Sequence, residues 1–472
     1  MGITTEIKGK IDDWFAANAD KLIADLTQLI NTKSVLDKPE AGAPYGRGAR
    51  DALDLSREIL RKLGIETEVF EDCMAEGDIG DGAELGILVH VDTVAANPDE
   101  WQSDPFVTDI RDGVIYGRGA TDNKGPAIAA FYALACANAL TGGLKKGAKI
   151  LVGSAEEIGC VDITRWLEVN TPPRYVFAPD ASYPICNVEK GRFVLYFEGK
   201  WDASGALPRV TALHGGGTSN IIPGAASASV RGLKKTEIEP VAAKLSAETG
   251  AEFLITDSDS GVKIVCNAKA AHASLPWNGN NAQTALLALL AALPLAEGAG
   301  AEAIRNLARL FPHGDCYGEA VGIAQKDEVS GVLTLSFNVL ELNETGFTAN
   351  FDSRTTQSAD SFPTLDTAKN ALETAGFAVT NHTMTQCHVT ETDGEFVQTL
   401  LGIYREYTGD DASRSLALGG TTYVHNIPGG VAFGTEKPGV NNRIHGRDEF
   451  ITVDELLTSA KMFAAAVVAI CG

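Results

Sequence analysis

Three short apolar runs in the first 180 residues each end in acidic or histidine side chains. The runs are GILVHVD, ILVGSAEE and YVFAPD, and they end in His90 and Asp92, in Glu156 and Glu157, and in Asp180. Near-continuous apolar runs of this length are typical of strands buried on both faces of a parallel sheet. Helical patterns such as NKGPAIAAFYALACANALTGG alternate with them. The alternation predicts an α/β fold, in which helices cover a mostly parallel sheet.

The pattern changes near residue 188 and returns near residue 384. The segments VLYFEGKW, GVKIVCNAKA and VLTLSFNVLEL predict antiparallel strands, and Ala- and Leu-rich helical segments separate them. After residue 384 the helix–strand alternation resumes, and VDELLTSAKMFAAAVVAI predicts a final helix. A chain of 472 residues exceeds the usual size of one core. We therefore expect a discontinuous α/β domain of residues 1–187 and 384–472, with an α+β domain of residues 188–383 inserted in it.

The overall charge indicates which partners to exclude. The chain has 39 Lys and Arg against 62 Asp and Glu, for a net charge of −23. This acidic balance argues against nucleic acid or an anionic membrane as a partner.

No segment of the sequence is predicted to direct the chain to a membrane or out of the cell. The first 30 residues predict an amphipathic helix and no signal peptide. The run MFAAAVVAI is too short to span a bilayer. Eight cysteines without a C-x-x-C pair indicate free thiols, and we expect a cytoplasmic protein.

Each polar motif has an ordinary explanation when it is considered alone. His90 and Asp92 point to one face of a strand, but the motif alone favours a core histidine beside a helix-capping aspartate. In YGRGATDNKGP the spacing fits neither a phosphate-binding loop nor a dinucleotide-binding loop, and Asp122 could cap the helix that follows. His445, in the loop GVNNRIHGRDEF, would by itself be expected in solvent.

Together the motifs indicate a different chemistry. In α/β sheets, ligands bind at the carboxyl ends of the strands. Two histidines and three carboxylates form a ligand set for two divalent ions, and mixed nitrogen and oxygen ligands suit Zn²⁺, Mn²⁺ or Co²⁺ better than Ca²⁺. Two such ions activate water and polarise a carbonyl, as in hydrolases, and one further carboxylate must remain free as the general base. The sequence does not choose between Zn²⁺ and Mn²⁺.

The order of the motifs resembles that of one enzyme family. HVDTV, GRGATDNKG, SAEEIG, APDA and IHGRDEF follow the order found in the dinuclear-metal peptidases of the aminoacylase, ArgE, DapE and carboxypeptidase G type. The chain is most similar to the branch of the dipeptidases PepV and the manganese-dependent Sapep. The resemblance covers nearly the whole chain. It implies a zinc-exopeptidase-like sheet sandwiched by helices, and an inserted lid domain that mimics a dimerisation partner in a monomeric enzyme.

The resemblance also implies a role for each candidate ligand. Asp122 would bridge two metal ions, Glu157 and His445 would complete one site, and His90 and Asp180 would complete the other. The family further implies a cis peptide bond after the bridging aspartate.

Two more carboxylates have implied roles beside the metal ligands. Asp92 would orient His90. Glu156 would be the general base, which takes a proton from the attacking water and passes it to the leaving amine.

The inserted segment and one glycine turn would supply the contacts to substrate. The motif AAHASLPW implies that His272 stabilises the oxyanion, TSNIIPG implies that Asn220 binds the substrate backbone, and FDSR implies that Arg354 holds the substrate carboxylate. Gly419 and Gly420 of LGGTTY would line the site with backbone N–H groups.

Two departures from the family pattern bear on substrate choice and on the metal site. Asn123 stands where relatives often have Asp, and His425 stands where they often have Arg. We expect a metal-dependent dipeptidase that acts on β-Ala-Xaa or Xaa-Xaa dipeptides. The alternatives are an amidohydrolase of N-acyl amino acids or a carboxypeptidase of the same family, and a non-catalytic binding protein on the same scaffold.

Overall fold

The computed structural model describes residues 3–258, 261–360, 363–410 and 416–472. The chain forms two compact units. The first unit comprises Met1–Val188 and His388–Gly472, and the second unit comprises Glu189–Cys387. The second unit therefore interrupts the first along the chain. Within the described residues, no helix combines the length and the apolar character that a membrane crossing requires.

Ten α-helices lie in the described part of the chain. They are α1 (Thr5–Asn31), α2 (Arg47–Lys62), α3 (Lys124–Thr141), α4 (Val161–Val169), α5 (Lys235–Thr249), α6 (Ala282–Ala292), α7 (Ala299–Leu310), α8 (Thr364–Thr374), α9 (Glu395–Thr408) and α10 (Val453–Cys471).

The strands are mostly short in the first unit and longer in the second. They are β1 (Thr67–Phe70), β2 (Met74–Ile79), β3 (Leu85–His90), β4 (Asp109–Arg111), β5 (Val114–Tyr116), β6 (Ala148–Gly153), β7 (Tyr175–Ala178), β8 (Ala181–Ser182), β9 (Cys186–Glu189), β10 (Gly191–Lys200), β11 (Arg209–Gly215), β12 (Ile221–Ile222), β13 (Ala225–Arg231), β14 (Glu252–Ser258), β15 (Gly261–Asn267), β16 (Ala271–His272), β17 (Lys326–Asp327), β18 (Gly331–Val332), β19 (Thr334–Asn343), β20 (Gly346–Thr355), β21 (Ala378–Thr385), β22 (His388–Val389), β23 (Leu416–Leu418), β24 (Val431–Ala432), β25 (Thr435–Glu436) and β26 (Phe450–Thr452).

The main sheet of the first unit has the order β1-β2-β6-β3-β7-β24-β9-β22, and β23 also pairs with β9. The four central strands, β6, β3, β7 and β24, are parallel to one another, whereas the strands β1 and β2 at one edge are antiparallel. The predicted α/β fold is therefore confirmed, with its parallel character in the middle of the sheet.

Alternate residues of β3 belong to two different apolar clusters. Ile87 and Val89 pack in the large cluster that contains residues of α1, α2, α3, α9 and α10. Leu88 packs in a smaller cluster with Trp166 of α4 and with Tyr423. Since successive strand residues point to opposite faces, helical layers cover both faces of the sheet. This arrangement buries β3 completely and fixes the strand end at His90.

The second unit is built on one antiparallel sheet. Its eight strands have the order β14-β15-β13-β11-β19-β20-β10-β21, and every pairing in that order is antiparallel. Residues of α5, α6, α7 and α8 pack with the sheet in a second apolar cluster. The α+β character predicted for the middle of the chain is thus present. That this unit is a lid stays a prediction.

Candidate metal centre

The predicted metal ligands come together in the first unit at the carboxyl ends of parallel strands. His90 is the last residue of β3, Glu157 follows β6, and Asp180 follows β7. Because these three strands are parallel neighbours, their carboxyl ends lie at one edge of the sheet. Asp122 lies just before α3, and His445 lies in the loop before β26.

The five side chains form two overlapping groups. In each group the ligand atoms all lie within 4.8 Å of one another, and the groups are His90, Asp122 and Asp180, and Asp122, Glu157 and His445. The two carboxylate oxygens of Asp122 face opposite histidines. Asp122 Oδ1 is 3.1 Å from His90 Nε2, and Asp122 Oδ2 is 3.0 Å from His445 Nε2. This carboxylate is thus placed to be shared by two ions.

Two buried atoms in these groups lack a hydrogen-bond partner among the described residues. They are His90 Nε2 and Glu157 Oε1. An unpaired buried polar atom is costly, and one cation in each group would satisfy these two atoms. Imidazole nitrogen and carboxylate oxygen are ligands that Zn²⁺ and Mn²⁺ accept. The residues present therefore fit two divalent ions.

The buried carboxylates strongly perturb the protonation of this cluster. Burial raises the pKa of both Glu156 and Glu157, and the neighbouring carboxylates raise it further. Burial alone would lower the pKa of His445, but hydrogen bonds to Asp122 and Glu157 raise that pKa to about 11. A further negative charge is therefore unfavourable in this cluster. Positive charge is what such a site attracts.

Asp92 lies beside His90, as the sequence predicts, and also makes contacts that the sequence did not reveal. His90 Nδ1 is 3.1 Å from the backbone oxygen of Asp92 and 3.4 Å from its Oδ1. Both oxygens of Asp92 accept backbone N–H groups, from Glu156 at 3.2 Å and from Glu157 at 3.1 Å. His90 Nδ1 thus faces Asp92, and the two carboxylate oxygens of Asp92 also hold the turn that carries both glutamates.

Asp162 continues this support along the same turn, and the sequence prediction did not include it. Its Oδ2 accepts the backbone N–H of Ser154 at 2.8 Å, the N–H of Ala155 at 3.0 Å and the hydroxyl of Tyr423 at 2.8 Å. Burial raises the pKa of Asp162 to about 6. Together with Asp92, this carboxylate accepts the four consecutive N–H groups of residues 154–157. In the sequence, Asp162 is an ordinary aspartate near the start of the helical segment VDITRWL.

Asn123, at the first departure from the family pattern, joins two of the ligand-bearing segments. The peptide bond between Asp122 and Asn123 is cis, as the resemblance implies. Asn123 Nδ2 donates to the backbone oxygen of Pro179 at 2.7 Å and to Asp180 Oδ1 at 3.3 Å, and its Oδ1 accepts the N–H of His90 at 3.4 Å. An amide can make these donor and acceptor contacts at once, whereas an ionised aspartate could not donate.

Glu156 lies next to the ligand groups but belongs to neither. Its side chain is partly buried, and its Oε1 accepts a weak hydrogen bond from Cys160 Sγ at 3.5 Å. Glu156 is thus a carboxylate at this edge of the sheet that the two ligand groups leave unused.

Three of the predicted substrate-binding residues lie in the second unit. Asn220 and His272 come together there, because β12 pairs with β16 and the backbone oxygen of Asn220 accepts the N–H of Ala273 at 2.8 Å. His272 is exposed, and its Nδ1 lies 2.7 Å from Ser274 Oγ. Both residues therefore lie at one small two-stranded sheet of that unit.

Arg354 has a different environment in the same unit. It is buried near the end of β20, where its Nε donates to Asp352 Oδ1 at 2.7 Å. Asp352 Oδ2 also accepts Arg192 Nε at 2.6 Å, and Arg192 pairs with Arg354 across the strands. The carboxylate of Asp352 thus fixes two guanidinium groups side by side. Arg192 was absent from the sequence prediction.

The predicted glycine turn lies in the first unit. Gly419 and Gly420 follow β23 directly and are partly exposed. The short turn Tyr423–Asn426 begins three residues after Gly420 and packs against the sheet, with the ring of Tyr423 edge-on to His90 at 6.1 Å. His425, the second departure from the family pattern, is buried 6.1 Å from the ring of His388.

Comparison with known proteins extends over most of the chain. The model of the family described as Peptidase family M20/M25/M40 matches residues 86–469. The "Putative dipeptidase YtjP" of Bacillus subtilis is 31% identical over 470 residues, covering 95% of this chain and 96% of that protein. The Beta-Ala-Xaa dipeptidase of Lactobacillus delbrueckii subsp. lactis is 30% identical over 460 residues, covering 96% of each.

Solved structures of low sequence identity share the fold. Human carnosine dipeptidase 1 matches with a TM-score of 0.55 at 14% identity, covering 98% of this chain and 99% of that one. The M20 family metallo-carboxypeptidase Sso-CP2 from Sulfolobus solfataricus matches with a TM-score of 0.57 at 16% identity, covering 95% and 99%. These two enzymes differ in the reaction that they are named for, so the shared fold does not select a substrate. The family match and the two sequence relatives place this chain in peptidase family M20/M25/M40, and it is a peptidase.

Proposed function

We propose that this chain is a dinuclear metal-dependent dipeptidase. The observation that carries the proposal is the pair of ligand groups that share Asp122, since each Asp122 oxygen faces a different histidine. The similarity to a Beta-Ala-Xaa dipeptidase over 96% of each chain supports a dipeptide of the β-Ala-Xaa or Xaa-Xaa type as the substrate.

The metal ions would be held by the two groups already described. When bound, two divalent ions at such a site lower the pKa of a water molecule and polarise the scissile carbonyl. Glu156 would accept a proton from the attacking water at its carboxylate and deliver it to the leaving amine. Its support is its position, beside both groups and in neither. Asp92 would keep His90 Nε2 directed at the metal site by accepting from Nδ1.

The contacts to the substrate are proposed from the family resemblance. Arg354 would bind the free carboxylate of the dipeptide, Asn220 its backbone, and His272 the developing oxyanion. Gly419 and Gly420 would offer backbone N–H groups. The fixed guanidinium of Arg354, which Asp352 orients, suits planar recognition of a carboxylate.

The identity of the metal is part of the proposal, with Zn²⁺ and Mn²⁺ as the two candidates. The test is metal analysis of the purified protein, followed by reactivation of chelator-treated protein with each ion separately. Full activity without any metal would contradict the proposal.

We further predict that the enzyme is a cytoplasmic monomer in which the inserted segment replaces a second subunit. Analytical ultracentrifugation tests whether it is a monomer.

The substrate class is tested with a panel of compounds that differ at one end only. Dipeptides with a free amino group, the matching N-acetyl amino acids and longer peptides are compared by kcat/KM. A dipeptidase cleaves the dipeptides. Cleavage of only the N-acetyl compounds would instead indicate an amidohydrolase, cleavage of only longer peptides a carboxypeptidase, and binding without turnover a non-catalytic protein.

A further inference from the structure

A buried ion pair joins the two loops that carry Asp122 and His445. Arg118 Nη1 lies 2.6 Å from Glu449 Oε2, and the two side chains are 2% and 0% exposed. Arg118 lies in the GRG segment before Asp122, and Glu449 follows His445 in the IHGRDEF segment. Neither residue belongs to a ligand group, and the proposed reaction gives neither a role.

Glu449 fixes the backbone on one side of this junction. Its Oε1 accepts the N–H of Thr121 at 2.9 Å and the N–H of Asp122 at 3.0 Å. Its Oε2 accepts the N–H of Gly119 at 3.2 Å in addition to the guanidinium of Arg118. Both oxygens act only as acceptors, and they restrain the loop up to the residue that the two ligand groups share.

Arg118 fixes the backbone on the other side. Its Nη2 donates to the backbone oxygen of Gly446 at 2.9 Å, and Gly446 directly follows His445. One guanidinium therefore contacts both the carboxylate that restrains Asp122 and the backbone that positions His445. A planar group with several donors in fixed directions suits this double contact.

The two histidines differ in how much external support they require. His90 is 1% exposed and ends a strand that is buried along its length. His445 is 50% exposed and has a φ of +59°, and Arg443 and Asp448 in the same loop also have positive φ values. Residues other than glycine adopt this left-handed backbone conformation at a cost in free energy, and they keep it where surrounding contacts hold it. The conformation of the His445 loop therefore depends on contacts such as the hydrogen bond from Arg118 to Gly446.

We propose that Arg118 and Glu449 are positioning residues for one of the two metal sites. They hold Asp122 and His445 at the separation that the group Asp122, Glu157 and His445 requires. The group of His90 and Asp180 has its own support from β3, β7 and Asn123. Because Asp122 is shared, removing the ion pair affects both sites, but it weakens the site of His445 more than the site of His90. This inference rests on the proposed dinuclear function.

The experiment is calorimetric titration of chelator-treated protein with Mn²⁺ and, separately, Zn²⁺, together with metal counting after dialysis. Wild-type protein binds two ions per chain. In Glu449→Gln an amide N–H₂ replaces one acceptor oxygen and faces backbone N–H donors. Loss of contacts that orient metal ligands typically costs 10- to 100-fold in affinity. We expect a loss of about that size at the site of His445, and a clearly smaller loss at the site of His90.

Ligand variants identify which site is affected. In a His445→Ala background, in which that site is already lost, Glu449→Gln has only the smaller effect on the remaining site, through Asp122. In a His90→Ala background it still weakens the remaining site. This pattern is a double-mutant cycle on metal affinity, and a general loss of stability would not produce it.

A matched control and a second variant keep the test decisive. Tyr132→Phe removes a hydrogen bond to Asp25 Oδ2 of 2.8 Å, away from the ligand loops, and should leave both affinities unchanged. If Glu449→Gln does not fold, Arg118→Lys carries the test, because it keeps the charge and loses the double contact. Two sites of wild-type affinity in the folded variant, or equal weakening of both sites, would overturn the inference. A wild-type protein that does not bind two ions would instead refute the proposed function.

Discussion

The hydroxyl of Tyr423 donates to Asp162 Oδ2 at 2.8 Å, at the foot of the turn that carries Glu156 and Glu157. Tyr423 is 2% exposed, and its ring also packs edge-on to His90. One buried tyrosine thus touches a candidate metal ligand and the carboxylate that holds the neighbouring turn. The edge of the sheet that carries the candidate ligands is therefore supported by contacts that involve no metal.

The first prediction concerns the pH dependence of stability that Asp162 causes. Burial raises the pKa of Asp162 to about 6, above its value near 3.8 in the unfolded chain. The folded state then binds a proton more tightly than the unfolded state. The contribution of Asp162 is fully present below pH ~4 and is lost as the pH rises through about 6, with a total of roughly 3 kcal/mol.

The measurement is urea unfolding of the metal-free wild type and of Asp162→Asn between pH 4 and 8. We expect the difference in unfolding free energy between the two proteins to change across pH 4–6 and to be constant above that range. Tyr423→Phe, which keeps the carboxyl group, should retain the pH dependence while losing about 1–2 kcal/mol through the missing hydrogen bond. A difference that is independent of pH would show that Asp162 has an ordinary pKa.

The second prediction separates the general base from the metal ligands. Glu156→Gln keeps the size of the side chain and removes its ability to accept a proton, so kcat should fall about 10²- to 10⁴-fold. Because Glu156 belongs to neither ligand group, the variant should keep two ions per chain. Glu157→Gln is the matched control, and it should lose one ion. Turnover of Glu156→Gln at the wild-type rate would contradict the assignment.

The sequence was most informative where a local pattern determines position. Apolar strands of a parallel sheet bring their carboxyl ends to one edge, so His90, Glu157 and Asp180 could be placed together before the structure was known. Asp122 and His445 lie in loops, and only the family resemblance gave them roles. The order of the motifs along the chain carried that part of the prediction.

The supporting contacts could not be predicted in this way. Asp162 and Glu449 bind backbone N–H groups. Because every residue except proline has such a group, the residue type does not show which N–H is the partner. Arg118 and Glu449 are 331 positions apart in the chain. Arg192 pairs with Arg354 through the register of β10 and β20, which strand patterns alone do not fix. The candidate ligands therefore followed from residue type and place, whereas their supports required the folded chain.

The third prediction concerns Arg354 and the free carboxylate of the substrate. Arg354→Lys replaces a planar guanidinium by a point charge, so kcat/KM for dipeptides should fall about 10- to 100-fold, as a charge-assisted hydrogen bond of about 1.5–3 kcal/mol is lost. Dipeptide amides, which lack the carboxylate, should be affected little. Arg192→Lys is the control, since it disturbs the same Asp352 but leaves Arg354 in place. Equal losses for acids and amides would exclude carboxylate recognition by Arg354.

The last prediction concerns the effect of metal removal on the stability of the first unit. Without ions, His90 Nε2 and Glu157 Oε1 are buried without a hydrogen-bond partner among the described residues, and several carboxylates lie close together. An ion that binds the folded state alone stabilises it by about 2.7 kcal/mol at a concentration of 100 times its dissociation constant. We expect chelation to lower the melting temperature and added Mn²⁺ or Zn²⁺ to restore it.

Two variants separate the sites. His90→Ala should retain part of this response through the site of His445. Asp122→Ala should lose the response at both sites, because both groups require that carboxylate. A melting temperature that does not respond to metal in the wild type would contradict the two-ion site.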